Sequence, residues 1–273
     1  NDASLTIDLD FSDGKRTQGL IRFDSIFGSG AGQIPFGSTI TSATLTVEVF
    51  DTSASSTQIT LHRMLVNWSE SSTWSSMGGG LTSGSQYVAT ADSTLGSPNS
   101  TGSQTFTGAG LTATLQLWSD GTANYGWAIL TNSTDGWDIR SSEYGTTTQR
   151  PQLTVTYASP PVVTTTGSTL AYVENAPAAP IDPGLTVTDP DSTNLTGATV
   201  SISGNYANGQ DVLAFTNQLG ITGNWNASAG VLTLSGTSSV ANYQTALRSV
   251  TYVNTSDSPS TLTRTISFVA NDG

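Results

Sequence analysis

Apolar and polar residues alternate with a period of two along much of the chain. Residues 5–11, 45–49 and 153–157 each place an apolar side chain at every second position. This period is typical of a β-strand with one face buried and one face in solvent. Gly, Ser and Asn separate these short runs at regular intervals. We therefore predict an all-β fold built from antiparallel β-sandwiches.

Two segments have the three- and four-residue spacing of a helix instead. The first, residues 111–118, ends before Gly121, and glycine commonly terminates helices. The second, residues 240–247, follows Ser239, whose hydroxyl can cap a helix N-terminus. The apolar positions are Leu111, Leu115 and Trp118 in the first segment, and Val240, Tyr243 and Leu247 in the second. We predict one short helix in each half of the chain.

The length of 273 residues suits two domains. The predicted strand that ends at Tyr157 is followed by Ala-Ser-Pro-Pro, and two prolines make a short, stiff linker. We predict a first domain at residues 1–157, a linker at 158–161 and a second domain at 162–273. Their formal net charges are −7 and −5, so both share the same acidic character.

The chain is poor in charged residues and rich in residues that carry a hydroxyl group. Charged residues make up only 10% of the chain, whereas Ser and Thr together number 83. Thr is both β-branched and polar, so it suits the outward face of a strand. The net charge of −12 argues against binding to nucleic acid, which requires a basic surface, and against adsorption to anionic membranes. The absence of Cys excludes disulfides and thiolate metal sites.

The first half resembles the DNRLRE domain family. The segments that carry the resemblance are LIRFD at 20–24, ITSATL at 40–45, WSE at 68–70, TW at 73–74, LWSDG at 117–121, NYG at 124–126 and RPQLTVTY at 150–157. The resemblance covers about residues 5–157 and implies a secreted, jelly-roll-like β-sandwich of bacterial or archaeal surface proteins. The family is similar to alginate-binding carbohydrate-binding modules, so the resemblance also implies a non-catalytic role with a capacity for glycans.

The second half resembles a bacterial cadherin-like adhesin domain. The segments are YVEN at 172–175, LTVTDPD at 185–191, GVLTLSG at 230–236, YQTAL at 243–247 and NDG at 271–273. The resemblance covers about residues 162–273 and implies an Ig-like sandwich that occurs in tandem in long adhesins. In such arrays acidic loops bind calcium and stiffen the chain.

Both resemblances are incomplete at one end. The first family usually begins with a strand before Asn1, and the second continues with a last strand after Gly273. We therefore expect each domain to lack one edge strand. Either the chain is a fragment, or a neighbouring copy supplies the strand by donor-strand exchange, as in a filament.

Acidic residues of the second half form a candidate calcium site. Asp189 and Asp191 flank a proline that resists strand formation. Calcium needs about six to eight oxygen ligands, so this pair is insufficient alone. The cadherin-like resemblance implies that Glu174 and Asp272 join them. The alternative is that these acids only shape turns.

A second acidic run surrounds the first predicted hairpin. It consists of Asp8, Asp10, Asp13 and Asp24. Lys15 and Arg16 lie nearby in the sequence and could offset the repulsion between the carboxylates. We interpret this run as a solvated face.

Aromatic and basic residues of the first half form a candidate glycan site. Trp127 and Trp137 flank residues 128–136 and could offer ring faces to sugars, while Arg63 and Arg140 could bind carboxylates. Other cations there are Arg22, Arg150 and His62. The alternative is that the tryptophans belong to the core, as we expect for Trp68, Trp74 and Trp118 of the family motifs.

No catalytic pattern emerges. His62 is the single histidine, and no G-x-S-x-G motif surrounds a serine. We predict a non-catalytic structural or adhesive module of a large secreted or cell-surface protein, with neighbouring copies as partners and calcium as a bound ion. The alternative is a carbohydrate-binding module that is attached to a larger enzyme and recognises an extracellular polysaccharide.

Asn-x-Ser/Thr sequons occur at six places. They begin at Asn67, Asn99, Asn132, Asn194, Asn226 and Asn254. Because Ser and Thr are so abundant, composition alone accounts for about this number of sequons. The sequence does not distinguish one of them from another as a glycosylation site.

Overall fold

The structure, a computed structural model, describes residues 4–7, 17–52, 58–96, 100–131 and 136–273. It divides into unit 1, Asn1–Ala158, and unit 2, Ser159–Gly273. The named strands pair in antiparallel fashion, which confirms the all-β prediction. No helix among the described residues is long and apolar enough to cross a membrane.

Unit 1 contains two sheets and one helix in its described part. The elements are β1 Ser4–Ile7, β2 Gly19–Ile21, β3 Thr39–Asp51, β4 Ile59–Arg63, β5 Ser93–Leu95, β6 Gly102–Thr107, α1 Ala109–Ser119, β7 Trp127–Thr131, β8 Trp137–Arg140 and β9 Gln152–Ala158, with a 3-10 turn at Thr147–Gln149. One sheet has the order β1-β8-β3-β6 with β9 also paired to β3, and the other has the order β2-β7-β4-β5.

The long strand β3 organises the core of unit 1. Its alternation buries Leu45, Val47 and Val49, as the sequence pattern predicts. β6 pairs along one edge of β3, while β8 and β9 pair with different parts of the other edge. Helix α1 packs against β3 and buries the predicted apolar positions Leu111, Leu115 and Trp118, so the predicted helix is confirmed.

Unit 2 has three sheets and one helix. Its elements are β10 Val162–Thr164, β11 Ala179–Pro180, β12 Thr186–Thr188, β13 Asn194–Gly204, β14 Asp211–Ala214, β15 Thr222–Asn226, β16 Val231–Ser239, α2 Val240–Arg248, β17 Thr251–Asn254 and β18 Thr265–Asn271. The sheet orders are β15-β16-β13-β18, β11-β17-β14 and β10-β12.

Helix α2 begins where the sequence predicts. The Ser239 hydroxyl accepts a hydrogen bond from the Asn242 backbone N–H and caps the first turn. Tyr243 and Leu247 face inward and are fully buried. The Tyr243 hydroxyl donates to the Gly236 carbonyl at 2.6 Å, so its polar end has a partner inside the unit.

The register of β13 and β18 places acidic residues at one end of unit 2. Gly197 of β13 pairs with Asn271 of β18, so Asp272 comes directly after this pair. The turn between β12 and β13 carries Asp189 and Asp191 and leads into the same end of β13.

Candidate metal centre

Three of the four predicted calcium ligands come together. Carboxylate oxygens of Asp189, Asp191 and Asp272 all lie within 4.8 Å of one another. Asp189 and Asp272 are partly buried, and Asp191 is exposed. The residues come from two segments about 80 positions apart in the sequence, which the pairing of β13 with β18 brings together.

Asp189 shapes the turn and keeps one oxygen unused. Its Oδ1 accepts hydrogen bonds from the backbone N–H groups of Asp191 at 3.1 Å and Ser192 at 2.8 Å. Its Oδ2 is buried from solvent and has no hydrogen-bond partner. A buried carboxylate oxygen without a donor is costly, so this atom is suited to a cation.

The other two carboxylates are also held in place. Asp191 Oδ2 accepts a hydrogen bond from the backbone N–H of Ser159 at 2.8 Å. Asp272 Oδ2 accepts a long bond of 3.4 Å from the Ser192 hydroxyl. The cluster therefore connects the start of unit 2, the β12–β13 turn and the end of β18.

No basic side chain neutralises this cluster in unit 2, all of which is described. Its two arginines are engaged elsewhere: Arg248 donates to the Leu185 carbonyl, and Arg264 pairs with Asp211. Three carboxylates so close together repel one another. The donor set contains only oxygen, and three carboxylates can supply up to six ligand atoms. These donors fit a hard cation such as calcium, with water or backbone carbonyls completing the shell.

Glu174 lies outside the acidic group, contrary to the expectation from the resemblance. It lines a cavity of about 680 Å³ in unit 2, whose wall also includes Tyr172 and Arg264. The irregular segment after β10 carries Glu174 to this cavity. The backbone of Asn175 has a positive φ of 60°, which turns the chain directly after Glu174.

The predicted glycan platform is wrong. Trp127 and Trp137 are 0% and 2% exposed and belong to the core of unit 1, so neither ring offers a face to a sugar. The Trp127 ring packs against Trp118 with centroids 4.5 Å apart, and its indole N–H donates to Asp92 at 2.8 Å. Both tryptophans lie on inward positions of their strands, which explains their burial.

The two arginines of that prediction do not form a platform either. Arg140 lies over the rings of Phe50 and Tyr144, with its guanidinium carbon 3.8 and 4.1 Å from the centroids. Arg63 ends β4 opposite the buried Trp127 and is only partly exposed. The tryptophans of the family motifs, which we expected in the core, are not all buried. Trp118 is buried, whereas Trp74 is 37% exposed.

Of the acidic run near the first predicted hairpin, the structure describes only Asp24. Asp8, Asp10 and Asp13, with Lys15 and Arg16, lie outside the described residues. Asp24 is exposed and pairs with Arg22, whose Nε lies 2.7 Å from Asp24 Oδ1.

Asp92 is a partly buried acid of unit 1 that sequence reasoning did not single out. Its Oδ2 accepts hydrogen bonds from the Thr114 hydroxyl at 2.6 Å and from the Trp127 indole at 2.8 Å. Burial raises the pKa of Asp92 above its ordinary value, although both bonds act in the opposite direction. Asp92 thereby links α1 to β7.

Asp211 is a buried carboxylate at the centre of a polar network in unit 2. It is 1% exposed, and its Oδ1 accepts from the Tyr252 hydroxyl at 2.7 Å and the Asn254 amide at 2.6 Å. Its Oδ2 accepts from Arg264 Nε at 3.0 Å and the Ala207 backbone N–H at 2.7 Å. The three side-chain partners lie 41 to 53 positions from Asp211 in the sequence, so no local sequence pattern predicts the network.

The network sets the protonation of its members. Burial alone would raise the pKa of Asp211, but the bonds from Tyr252, Arg264, Ala207 and Asn254 outweigh it and lower the pKa. Burial, together with the adjacent carboxylate, raises the pKa of Tyr252 to about 12. Near neutral pH, Asp211 is therefore charged in the folded protein and Tyr252 is neutral.

Comparisons with known proteins give one partial relative. The chain is 35% identical over 168 residues to a protein named halomucin from Haloquadratum walsbyi. The match covers 59% of this chain and 2% of halomucin, so the chain spans only a small part of that relative. The matched region is longer than either unit and so includes residues of both. No family model and no solved structure matches the chain.

Proposed function

We propose that the chain is a non-catalytic structural module of a long cell-surface protein and that its second unit binds calcium. The observation that carries the proposal is the convergence of Asp189, Asp191 and Asp272 without a basic partner from unit 2, all of which is described. A buried oxygen of Asp189 that lacks a donor supports a bound cation in particular.

The similarity to halomucin supports a place within a much longer protein. The matched region is 2% of that relative and includes residues of both units. The all-β fold with a hydroxyl-rich, charge-poor composition suits a repeated structural element. The resemblance of unit 1 to DNRLRE domains and of unit 2 to cadherin-like domains points to the same class of protein.

Calcium in this cluster would act as a clamp within unit 2. Its ligands would bind the β12–β13 turn to the residue after β18, while Asp191 already holds the Ser159 N–H. An ion that binds only the folded state stabilises it in proportion to the logarithm of its concentration. The ion would also remove the repulsion among the three carboxylates.

Calcium is expected to raise the melting temperature of unit 2. At a free concentration 100 times the dissociation constant, the gain is about 2.7 kcal/mol. For a domain of this size this corresponds to a shift on the order of 10 °C. Differential scanning calorimetry with excess calcium and with EDTA measures the shift. Changing both Asp189→Asn and Asp191→Asn should abolish it, whereas Asp257→Asn, which alters an exposed acid outside the cluster, should preserve it.

Identical melting curves in calcium and EDTA would refute the calcium site. An equal shift in the parent and in the double variant would place the ion elsewhere in the protein.

A further inference from the structure

The structure distinguishes sequons that are equivalent in the sequence. Those at Asn99 and Asn132 fall outside the described residues. The remaining four differ in exposure, in the hydrogen bonds of the asparagine side chain and in the elements that hold them. A transferase that glycosylates asparagine needs an accessible amide nitrogen and room around the sequon.

In two of the four sequons the asparagine belongs to a paired strand of unit 2, β13 or β17. Asn254 is 5% exposed and donates its amide to Asp211 at 2.6 Å, so its nitrogen is occupied and buried. Asn194 begins β13, and the next residue, Leu195, is fully buried in the core. The side chains of Asn194 and Thr196 are exposed, but the backbone of Asn194 and Leu195 is paired with β16. An enzyme that must draw the sequon away from the sheet therefore requires local opening at Asn194 as well as at the buried Asn254.

The sequon at Asn67 is held by its neighbours. Asn67 Oδ1 accepts hydrogen bonds from Arg22 Nη1 and from the backbone N–H of Trp68, both at 3.0 Å. Trp68 is partly buried, and its indole donates to the Tyr125 carbonyl at 2.7 Å. The middle residue of this sequon is therefore anchored to other parts of unit 1.

Asn226 is different because it lies at the tip of the β15–β16 hairpin. Residues 226–229 are all exposed. Asn226 Oδ1 accepts from the Ser228 hydroxyl at 2.7 Å and from the backbone N–H groups of Ser228 at 3.1 Å and Ala229 at 3.2 Å. The amide nitrogen Nδ2 donates no hydrogen bond to any described residue. The hydroxyl that defines the sequon thus already contacts the asparagine side chain.

The turn that presents Asn226 is well supported. The Tyr206 hydroxyl donates to the Ala227 carbonyl, and Gly230 packs against the Tyr206 ring with a positive φ of 67°. The turn therefore forms a defined hairpin tip at the surface, on which Asn226 is exposed.

We propose that Asn226 is an acceptor for an N-linked glycan. In the reaction Nδ2 attacks the anomeric carbon of a sugar carried on a polyprenyl diphosphate. The N–C bond forms, the C–O bond to the diphosphate breaks, the diphosphate leaves with the electron pair, and the nitrogen loses one proton to a base of the transferase. The proposal rests on the proposed surface role, because such transferases act on exported chains.

Glycosylation of the folded chain in vitro tests this site. The purified full chain is incubated with an oligosaccharyltransferase that accepts the plain Asn-x-Ser/Thr sequon, and with a polyprenyl-diphosphate sugar. Peptide mass spectrometry should find the glycan on Asn226 at a level at least about tenfold above Asn194 and Asn254, which need local unfolding. Asn226→Gln and Ser228→Ala should remove it, while Ser228→Thr should retain it.

A synthetic peptide of residues 222–231 serves as the control for enzyme activity. Modification of this peptide without modification of Asn226 in the folded chain would overturn the proposal, as would equal modification of Asn254. The reaction requires no export, so its failure would leave the proposed surface role unaffected.

Discussion

Replacement of Asp211 by alanine is expected to lower the free energy of unfolding of unit 2 by about 3 to 5 kcal/mol. The carboxylate accepts four hydrogen bonds in a site that is 1% exposed. Its removal leaves Arg264 as a charge without its acidic partner, with a side chain only 10% exposed. It also leaves the Tyr252 hydroxyl and the Asn254 amide without this acceptor.

Urea unfolding, followed by amide exchange in peptides of unit 2, measures this loss. Asp257→Ala is the matched control, because it removes an exposed acid from the same unit and should change stability by less than about 0.5 kcal/mol. Equal stability of the two variants would show that the network contributes nothing.

The same network makes unit 2 sensitive to acid. The pKa of Asp211 is lower in the folded state than the ordinary value of 3.8. Between these two pKa values the unfolded chain binds more protons, so the contribution of Asp211 is complete above pH 3.8 and is lost as the pH falls through the folded pKa. The Asp211→Asn variant should lack this part of the pH dependence.

Replacement of Trp127 by alanine is expected to lower the free energy of unfolding of unit 1 by about 3 to 5 kcal/mol. The change removes a fully buried ring that packs on Trp118, and it leaves Asp92 without one of its donors. Urea unfolding followed by amide exchange in peptides of unit 1 measures the effect.

Trp74→Ala is the control for this variant, because Trp74 is 37% exposed and should cost less. An unchanged unfolding midpoint for Trp127→Ala would contradict its place in the core.

The sequence predicted the fold well where periodicity carries the information. The alternation in β3 and the three- and four-residue spacing in α1 and α2 follow directly from which face each element buries. β7 departs from alternation, since Trp127, Ala128 and Ile129 are buried in succession. A tryptophan suits both a core and an exposed sugar platform, so residue type alone could not place Trp127.

The candidate metal site was only partly predictable. Asp189 and Asp191 are two positions apart, so their proximity is local, whereas Asp272 joins them through the register of β13 and β18. The position of Glu174 depends on the path of an irregular segment, for which no periodic signal exists. The partners of Asp211 lie as many as 53 positions away, and sequence spacing carries no information about such contacts.

Protease treatment of intact cells of the source organism tests the central claim most directly. A protease that cannot enter cells should remove peptides of both units from the cell fraction, while a cytoplasmic protein stays intact. Quantitative mass spectrometry before and after treatment measures this loss. If the chain is a structural module of a surface protein, its peptides disappear without lysis. Peptides that stay protected until the cells are lysed would contradict that role.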